Sequence, residues 1–471
     1  MAIADLEAHE PTWFFDLRST LQEHVYARSE AAFAAGDAAR DAIRDRAGLE
    51  QRQRLIRERF LAGIGGLPAM DTPLNAKVTG EARGDGFRIE HVVFESRPNT
   101  YVTGSLYLPD GITGRRAAVM FVCGHHDDAR LNPQYQTVCQ HLVRAGLVVF
   151  AQDPIGQGER WSYWDPATAR ETVAPGVAEH DHVGWQCLPT GETLTRFFLH
   201  DIMRGMDYLR TRPEIDPERI GITGNSGGGT QTSMAMMADP RFAAAAPGTF
   251  IMDRRSYQRA GGAQDAEQIW PGFTAAGLDH EDILLAMAPK PVRVLAVTYD
   301  FFPIEGTRRT VSRCKRVWDL LGAGDRIDLV EDPTIHNYTP TLARAAAAFF
   351  SKHLLGREVA VDSATITTLP SATLWATKTG QVRGSYPQAR SVHDELRDRL
   401  PQLARARAGK RAQGLAWLRE RVHAGRVACE PVVKIYTWHA QEDLAVEGAL
   451  WSSQPDLTVH GLLLRKGDHG G

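Results

Sequence analysis

Ser226 stands in Gly224-Asn225-Ser226-Gly227-Gly228, directly after the apolar run Ile220 to Thr223 and directly before a helix-forming stretch. A serine hydroxyl is a poor nucleophile at neutral pH. It needs an imidazole to take its proton and a carboxylate to fix that imidazole's tautomer. A G-x-S-x-G segment between a strand and a helix exposes such a hydroxyl on a sharp turn, and small neighbours let the serine adopt a strained backbone. Partners follow in the chain order Ser, acid, His that this context requires. Asp300 comes after the apolar run Val292 to Val297, at the carboxyl end of a strand, and His336 lies in the loop Glu331 to Tyr338 ahead of a helix. Glu305, near Asp300, and Asp253, after the preceding strand, are rival acids. Taken singly, Asp300 is also a turn cap before Pro303 and His336 a loop histidine. Their joint order is what points to chemistry.

An acyl-transfer intermediate carries an oxyanion, which needs two backbone N–H donors: one after the nucleophile and one from the loop after an earlier strand. Gly227 and His125, the latter in Cys123-Gly124-His125-His126-Asp127-Asp128, are the candidates. The paired histidines and aspartates also invite a metal reading. It is disfavoured because consecutive residues point in different directions and no histidine pair at helix spacing lies nearby. The stretch Gln152 to Arg160 has paired glycines but neither a dinucleotide nor a P-loop pattern, so it reads as a pocket wall in which Gln157 contacts substrate. Residues 161–191 are an aromatic-rich insertion at the ligand end of the sheet. Trp185 is its candidate for stacking on a sugar ring, although packing against the body is the ordinary role for such aromatics.

The elements that must hold these loops alternate. Phe87 to Phe94 and Tyr101 to Leu108 read as antiparallel strands closed by Pro109-Asp110-Gly111. Ala117 to Cys123, Leu147 to Ala151, the run before Ser226, Ala243 to Ala246, Val292 to Val297 and Ile327 to Val330 are apolar enough for strands buried on both faces. Helical spacing separates them, including Thr195 to Leu209, Thr310 to Leu321 and Thr341 to Leu355. Alternation of this kind predicts a mostly parallel central sheet with helices on both faces.

The chain has 471 residues, 43% hydrophobic and 24% charged, with a net charge of −3, so nothing electrostatic suggests a nucleic acid or an anionic membrane as partner. The amino terminus carries neither a basic nor an apolar signal region, and a cytoplasmic location is expected. Cys123, Cys139, Cys187, Cys314 and Cys429 are odd in number and lack C-x-x-C spacing, which predicts free thiols rather than disulfides or zinc. Four segments are expected: a helical arm (1–74), a catalytic domain (75–356), a linker with an Arg-rich helical segment (357–427) and the start of an incomplete second repeat (428–471). The repeat rests on two echoes. Ala445 to Trp451 resembles Val102 to Tyr107, and Leu462 to His469 resembles Val119 to His125.

Residues 75–355 resemble serine α/β-hydrolases of the acetylxylan esterase and dienelactone-hydrolase-like group, related to prolyl oligopeptidases. The likeness is carried by Asp153-Pro154-Ile155-Gly156-Gln157-Gly158-Glu159-Arg160, Thr223 to Gly229, Asp265-Ala266-Glu267-Gln268 with Gly277-Leu278-Asp279-His280, Ala288 to Pro291, and the Asp300 and His336 loops. It implies an α/β-hydrolase fold with Ser226 as nucleophile, His336 as base and Asp300 as acid. Cys123 departs from the group, whose members often carry a histidine there. The resulting expectation is an ester hydrolase that removes small acyl groups, acetyl above all, from a carbohydrate or similar polyol. No metal or organic cofactor is required, and a homo-oligomer is left open. A peptidase of the prolyl oligopeptidase type and a non-catalytic binding protein are the alternatives.

Overall fold

A computed structural model describes residue 17 and residues 19–262, 264–423, 426–441 and 444–466, which fall into two compact units. The larger spans Phe33–Leu403; the other comprises residues up to Ala32 and from Ala404. In the larger unit nine strands form one sheet in the order β1 (Lys77–Gly84), β2 (Phe87–Arg97), β3 (Thr100–Pro109), β5 (Val148–Gln152), β4 (Arg116–Val122), β8 (Ile215–Asn225), β9 (Ala244–Gly248), β10 (Val292–Tyr299), β11 (Ile327–Ile335). The short strands β6 (Trp164–Asp165) and β7 (Arg170–Glu171) pair only with each other. β1, β2, β3 and β5 pair antiparallel, and from β5 to β11 every pairing is parallel.

The period-two geometry of a strand explains why helices cover both faces. Along β4, Met120 and Val122 enter one apolar cluster and Val119 and Phe121 the other. The first cluster takes in Phe198, Ile202 and Met206 of α5 (Leu194–Thr211) together with Met234 and Met237 of α6 (Gly227–Ala238). The second takes in Val138 and Leu142 of α3 (Pro133–Arg144) and Phe349 and Phe350 of α10 (Pro340–Leu355). Fully burying one such side chain is worth about 1.5–3 kcal/mol. From β4 the chain steps to β5 on one side and returns to β8 on the other. That reversal opens a crevice at the carboxyl ends of β4 and β8, where open α/β sheets bind ligands.

Local chemistry sets the helix that follows the His336 loop. Thr339 Oγ1 accepts from Leu342 N at α10's first turn, Pro340 occupies the first helical position, and Gly356 ends the helix at φ 73°. The segment Gly277 to Asp282 starts a helix and anchors two arginines. Asp279 and Asp282 form a reciprocal cap on α8 (His280–Leu285), and fully buried Asp282 takes Arg40 of α1 (Thr20–Asp41) and Arg52 of α2 (Arg46–Gly63), each at 2.7 Å. Arg40 and Arg52 are thereby tied to α8 by a buried ion cluster.

Two expectations are corrected. Residues 357–403 are not a linker but part of the larger unit. The Glu159 carboxylate accepts from Ala376 N at 2.6 Å and Thr377 N at 2.8 Å, and Gln381 Nε2 donates to Gly158 O at 2.8 Å. Thr and Ser composition suggested a connector, but backbone amides satisfying a buried carboxylate make it a strap. The Arg-rich stretch forms α11 (Val392–Arg407) and α12 (Arg411–His423).

The second correction concerns the repeat. β12 (Val433–Gln441), β13 (Leu444–Gln454) and β14 (Leu457–Lys466) form an antiparallel meander. Its register copies that of β1, β2 and β3 at a constant offset of 357 positions. Val78↔Val92 answers to Ile435↔Ala449 and Phe94↔Val102 to Trp451↔Val459, and the two register breaks, Val78/Gly80 and Glu95/Arg97, recur as Ile435/Thr437 and Ser452/Gln454. The matching pairs are therefore β13 with β2 and β14 with β3, not the echoes of β3 and β4 read from sequence. Apolar alternation looks alike in any strand, whereas bulges mark register. Residues 467–469 of the second echo lie outside the described residues. Among the described residues, β14 pairs only with β13.

Candidate active site

Ser226 links β8 to α6 with φ 57° and ψ −116°, a conformation worth about 1–3 kcal/mol of strain in a non-glycine residue. The turn is held from outside, because Ser226 N donates to Gly248 O and to Thr249 Oγ1, each at 3.0 Å. Thr249 Oγ1 in turn donates to Asn225 Oδ1 at 2.8 Å. The flanking glycines have a steric reason. A Cβ on Gly224 would lie 2.2 Å from Val122 O, and one on Gly228 would lie 2.1 Å from the same carbonyl. α6 can therefore approach β4 closely enough to lift Ser226 to the rim only with hydrogen in both places.

The other two loops converge there. Asp300 follows β10 and His336 follows β11, and His336 Nδ1 lies 2.8 Å from Asp300 Oδ1 and 3.0 Å from Oδ2. Asp300 Oδ1 also accepts from Phe302 N at 3.1 Å, which fixes the carboxylate. The Asp300 side chain is 3% exposed and that of His336 23%, so the acid is shielded while the ring is reachable. A proton on Nδ1, donated to Asp300, leaves the Nε2 lone pair to accept one from a hydroxyl. Phe301 lies against the ring with centroids 4.4 Å apart. Ser226, His336, Phe301, Phe302 and Tyr257 line one cavity of about 370 Å³. The rival acids lie elsewhere: Asp253 caps α7 (Arg254–Ala260) and pairs with Arg309, and Glu305 sits in the first turn of α9 (Ile304–Leu320).

The loop after β4 abuts this turn. A Cβ on Gly124 would lie 3.3 Å from Ser226 Cβ, and one on Gly227 would lie 2.7 Å from His125 Cε1. Gln231 Nε2 donates to Cys123 O at 2.7 Å, and Gln157 Nε2 donates to the carbonyls of Gly124 and His126, each at 2.7 Å. With its carbonyls tied back, the loop's backbone orientation beside Ser226 is set. Gly124 is thus a neighbour of the serine, and the His125 ring lies over Gly227.

Two residues expected to contact substrate are placed elsewhere. Gln157 is 1% exposed, its amide spent on loop carbonyls beneath the cavity. Trp185, on α4 (Val177–Cys187), is 74% exposed and is not part of the cavity lining. Turn glycines and aromatic content suggested a pocket wall and a stacking platform, but which face of a segment turns inward is a tertiary outcome. The remaining insertion aromatics mostly pack on each other, Trp161 with Trp164 and Tyr163 with His182. Val177 is the insertion residue that reaches the cavity.

His125 and His126 diverge as expected, His126 Nδ1 lying 3.0 Å from Asn132 Nδ2. His125, however, meets Glu267 and His180, which no local spacing could disclose. Burial alone would raise the Glu267 carboxyl, yet His180 and His125 hold it well below the usual carboxylate range. Burial likewise disfavours charge on His180, and the Glu267 charge outweighs it, pushing His180 upward. Asp265, which lines the cavity, is pushed up by burial and then by the charge of Glu267. Cys123, Cys139, Cys187 and Cys314 are buried free thiols and Cys429 is half-buried. Among the described residues no helix is long and apolar enough to cross a membrane.

Comparison with known proteins agrees with this architecture. The prolyl oligopeptidase family profile matches residues 196–278. YtaP of Bacillus subtilis (strain 168), described as a hydrolase, is 24% identical over 220 residues, covering 45% of this chain and 67% of YtaP. Among solved structures, methylesterase BT1017 superposes with a TM-score of 0.61 at 22% identity, covering 80% of each chain. A Bacteroides fragilis NCTC 9343 structure described as an acetyl xylan esterase gives 0.50 at 17% identity, covering 61% of this chain and 75% of its own. A glucuronoyl esterase from Solibacter usitatus gives 0.51 at 16% identity, covering 66% of this chain and 94% of its own. The chain has the α/β-hydrolase fold.

Proposed function

We propose that this protein is a carboxylic-ester hydrolase acting through Ser226, His336 and Asp300, with a small acyl ester of a carbohydrate or similar polyol as substrate. Ser226 attacks the carbonyl carbon while His336 Nε2 takes its proton, and the amides of Gly227 and His125 receive the oxyanion. His336 then gives the proton to the leaving alcohol and afterwards activates water against the acyl-enzyme. The observation that carries the reading is the 2.8 Å contact of His336 Nδ1 with Asp300 in a cavity shared with a serine at φ 57°.

The cavity lining supports the substrate class. Gln134, Asn225, Gln268 and Asn337 offer neutral donors and acceptors suited to hydroxyl groups, beside the apolar rings of Phe301 and Phe302. Neighbours in fold are named a methylesterase, an acetyl xylan esterase and a glucuronoyl esterase, which favours ester over peptide bonds. The match to the prolyl oligopeptidase family keeps a peptidase as the second reading. Four buried free thiols fit a reducing, cytoplasmic setting, and the near-neutral charge fits the absence of nucleic acid and membrane from its partners. We also read residues 428–471 as the opening strands of a second hydrolase-like repeat, supported by the shared register at offset 357.

The test is Ser226→Ala assayed with p-nitrophenyl acetate, a panel of acetylated sugars and peptidyl-nitroanilides. The parent should hydrolyse the esters and the variant should lose several orders of magnitude of kcat. Turnover retained in Ser226→Ala ends the proposal, faster cleavage of peptidyl-nitroanilides than of esters selects the peptidase, and failure of Ser226 to label with a fluorophosphonate selects a binding protein.

A further inference from the structure

Beside the Ser226 cavity two histidines converge on one carboxylate. Each residue of the group His125, His180 and Glu267 offers a ligand atom, and these atoms all lie within 4.8 Å of one another. His125 is brought by the loop after β4, His180 by α4 in the insertion, and Glu267 by the 3-10 turn Ala266–Gln268. The His180 and Glu267 side chains are 0% and 1% exposed, and that of His125 is 15% exposed.

The hydrogen-bond inventory of this cluster is incomplete in one direction. His180 Nε2 lies 2.7 Å from Ile155 O, an atom that can only accept, so that nitrogen carries a proton and Nδ1 is the ligand position of the neutral ring. Nδ1 faces Glu267 Oε2 at 3.2 Å as an ion-pair contact, and neither buried atom has a hydrogen-bond partner of good geometry. Glu267 Oε1 lies 2.8 Å from His125 Nε2. The other nitrogen of that ring, Nδ1, lies 3.4 Å from Asp265 Oδ2, a second acceptor that can take its proton. With both rings neutral in that tautomer, two imidazole lone pairs and a carboxylate point at one another at the inner edge of the cavity. Such an arrangement is repulsive unless a proton or a metal cation sits among them. It is also the arrangement of a metal centre, whose histidines commonly give their remote N–H to a carbonyl or a carboxylate.

We propose that His125 Nε2, His180 Nδ1 and a Glu267 carboxylate oxygen bind one divalent transition-metal cation, zinc foremost. Two imidazoles with one carboxylate are the donor set of zinc and its first-row neighbours. Calcium and magnesium, which take oxygen ligands, are disfavoured. The consequence for the neighbouring serine is positional. His125 is the ligand that also lines the cavity, and its ring packs over Gly227. A cation fixing that ring would brace the loop and turn beside Ser226 without contacting the substrate's reacting atoms. The site does not depend on the esterase reading, since its test measures binding.

The full chain, stripped with chelator and dialysed, is titrated with Zn²⁺ by calorimetry, with metal content measured after gel filtration and Co²⁺ used as a visible-absorption probe. The expected result is one equivalent of zinc, a rise in Tm on loading, low-coordinate Co²⁺ bands displaced by zinc, and no such response to Mg²⁺. Glu267→Gln and His125→Gln should each weaken zinc binding at least about tenfold to a hundredfold, the size of loss seen even for partners of metal ligands. His125→Gln, at the cavity edge, serves if Glu267→Gln does not fold. Substoichiometric zinc in the parent chain, with no Co²⁺ bands, would show that protons rather than a metal occupy the cluster and would overturn the proposal. So would zinc affinity unchanged in a folded variant.

Discussion

Asp300→Asn probes the site at its most shielded link. Both carboxylate oxygens stand within 3.0 Å of His336 Nδ1, and the side chain is 3% exposed. When Ser226 gives up its proton, an imidazolium forms opposite that carboxylate. Two unit charges about 4 Å apart at an effective dielectric of about 20 attract by about 4 kcal/mol, which is worth about 10³ in rate. Asparagine removes this attraction and adds a second fault. Its amide can donate to Nδ1, which moves the ring proton to Nε2, the atom that must accept from serine. The amide oxygen keeps the shape of the carboxylate and can still take the Phe302 N–H, so the fold should survive. We expect kcat for p-nitrophenyl acetate to fall by about 10³ to 10⁴ with KM nearly unchanged. Fluorophosphonate labelling of Ser226 should slow in parallel, at an unchanged Tm. A folded variant retaining kcat within about tenfold of the parent would show that another acid serves His336. Asp253→Asn, whose parent residue caps α7, should leave kcat near that of the parent.

Further outcomes follow from the same geometry. Gln157→Leu removes the donor to the Gly124 and His126 carbonyls, so kcat should fall more than KM rises, with a stability loss of about 1–3 kcal/mol in denaturant titration; unaltered kinetics would separate the loop from catalysis. Gly228→Ala puts a Cβ 2.1 Å from Val122 O, a backbone atom that cannot yield cheaply, and should cost about 1–3 kcal/mol or more; a Tm equal to the parent's would refute the close approach. Trp185→Ala should leave kcat/KM within about twofold on every ester tested, as single exposed apolar residues usually do. Burial, then the charges of Arg344 and Arg144, pull the His141 pKa from 6.5 down to about 4. A lowered histidine binds fewer protons folded than unfolded, so its stabilisation is complete above pH 6.5 and is lost as pH falls toward 4. Tm of His141→Gln should fall less steeply across that window than Tm of the parent, and equal slopes would remove His141 as a cause.

The linear chain revealed the α/β-hydrolase order because each cue was local. Apolar runs such as Val119 to Cys123, helical spacing such as Thr195 to Leu209 and the small residues around Ser226 are consequences of backbone geometry acting over a few residues. The same locality explains the candidate triad, since each member sits at a strand's carboxyl end that its own flanking residues define. The antiparallel entry to the sheet at β2 and β3 was readable in the same way. β1 was not, because an exposed edge strand with the burial seen in Lys77–Gly84 carries little apolar pattern.

What local cues could not supply is which distant groups meet and which face turns inward. Gln157 became a brace and Trp185 a surface residue because the direction of a loop side chain depends on neighbours contributed from elsewhere in the chain. Residues 357–403 became a strap because Glu159, more than two hundred positions earlier, holds Ala376 and Thr377. His180 and Glu267 reached His125 through the insertion and a turn far along the sequence. The order of elements was therefore written in short-range periodicity, whereas the convergence of loops, the buried ion clusters and the register of the repeated meander were decided by long-range packing. The free energy of that packing is shared among segments that carry no mark of one another.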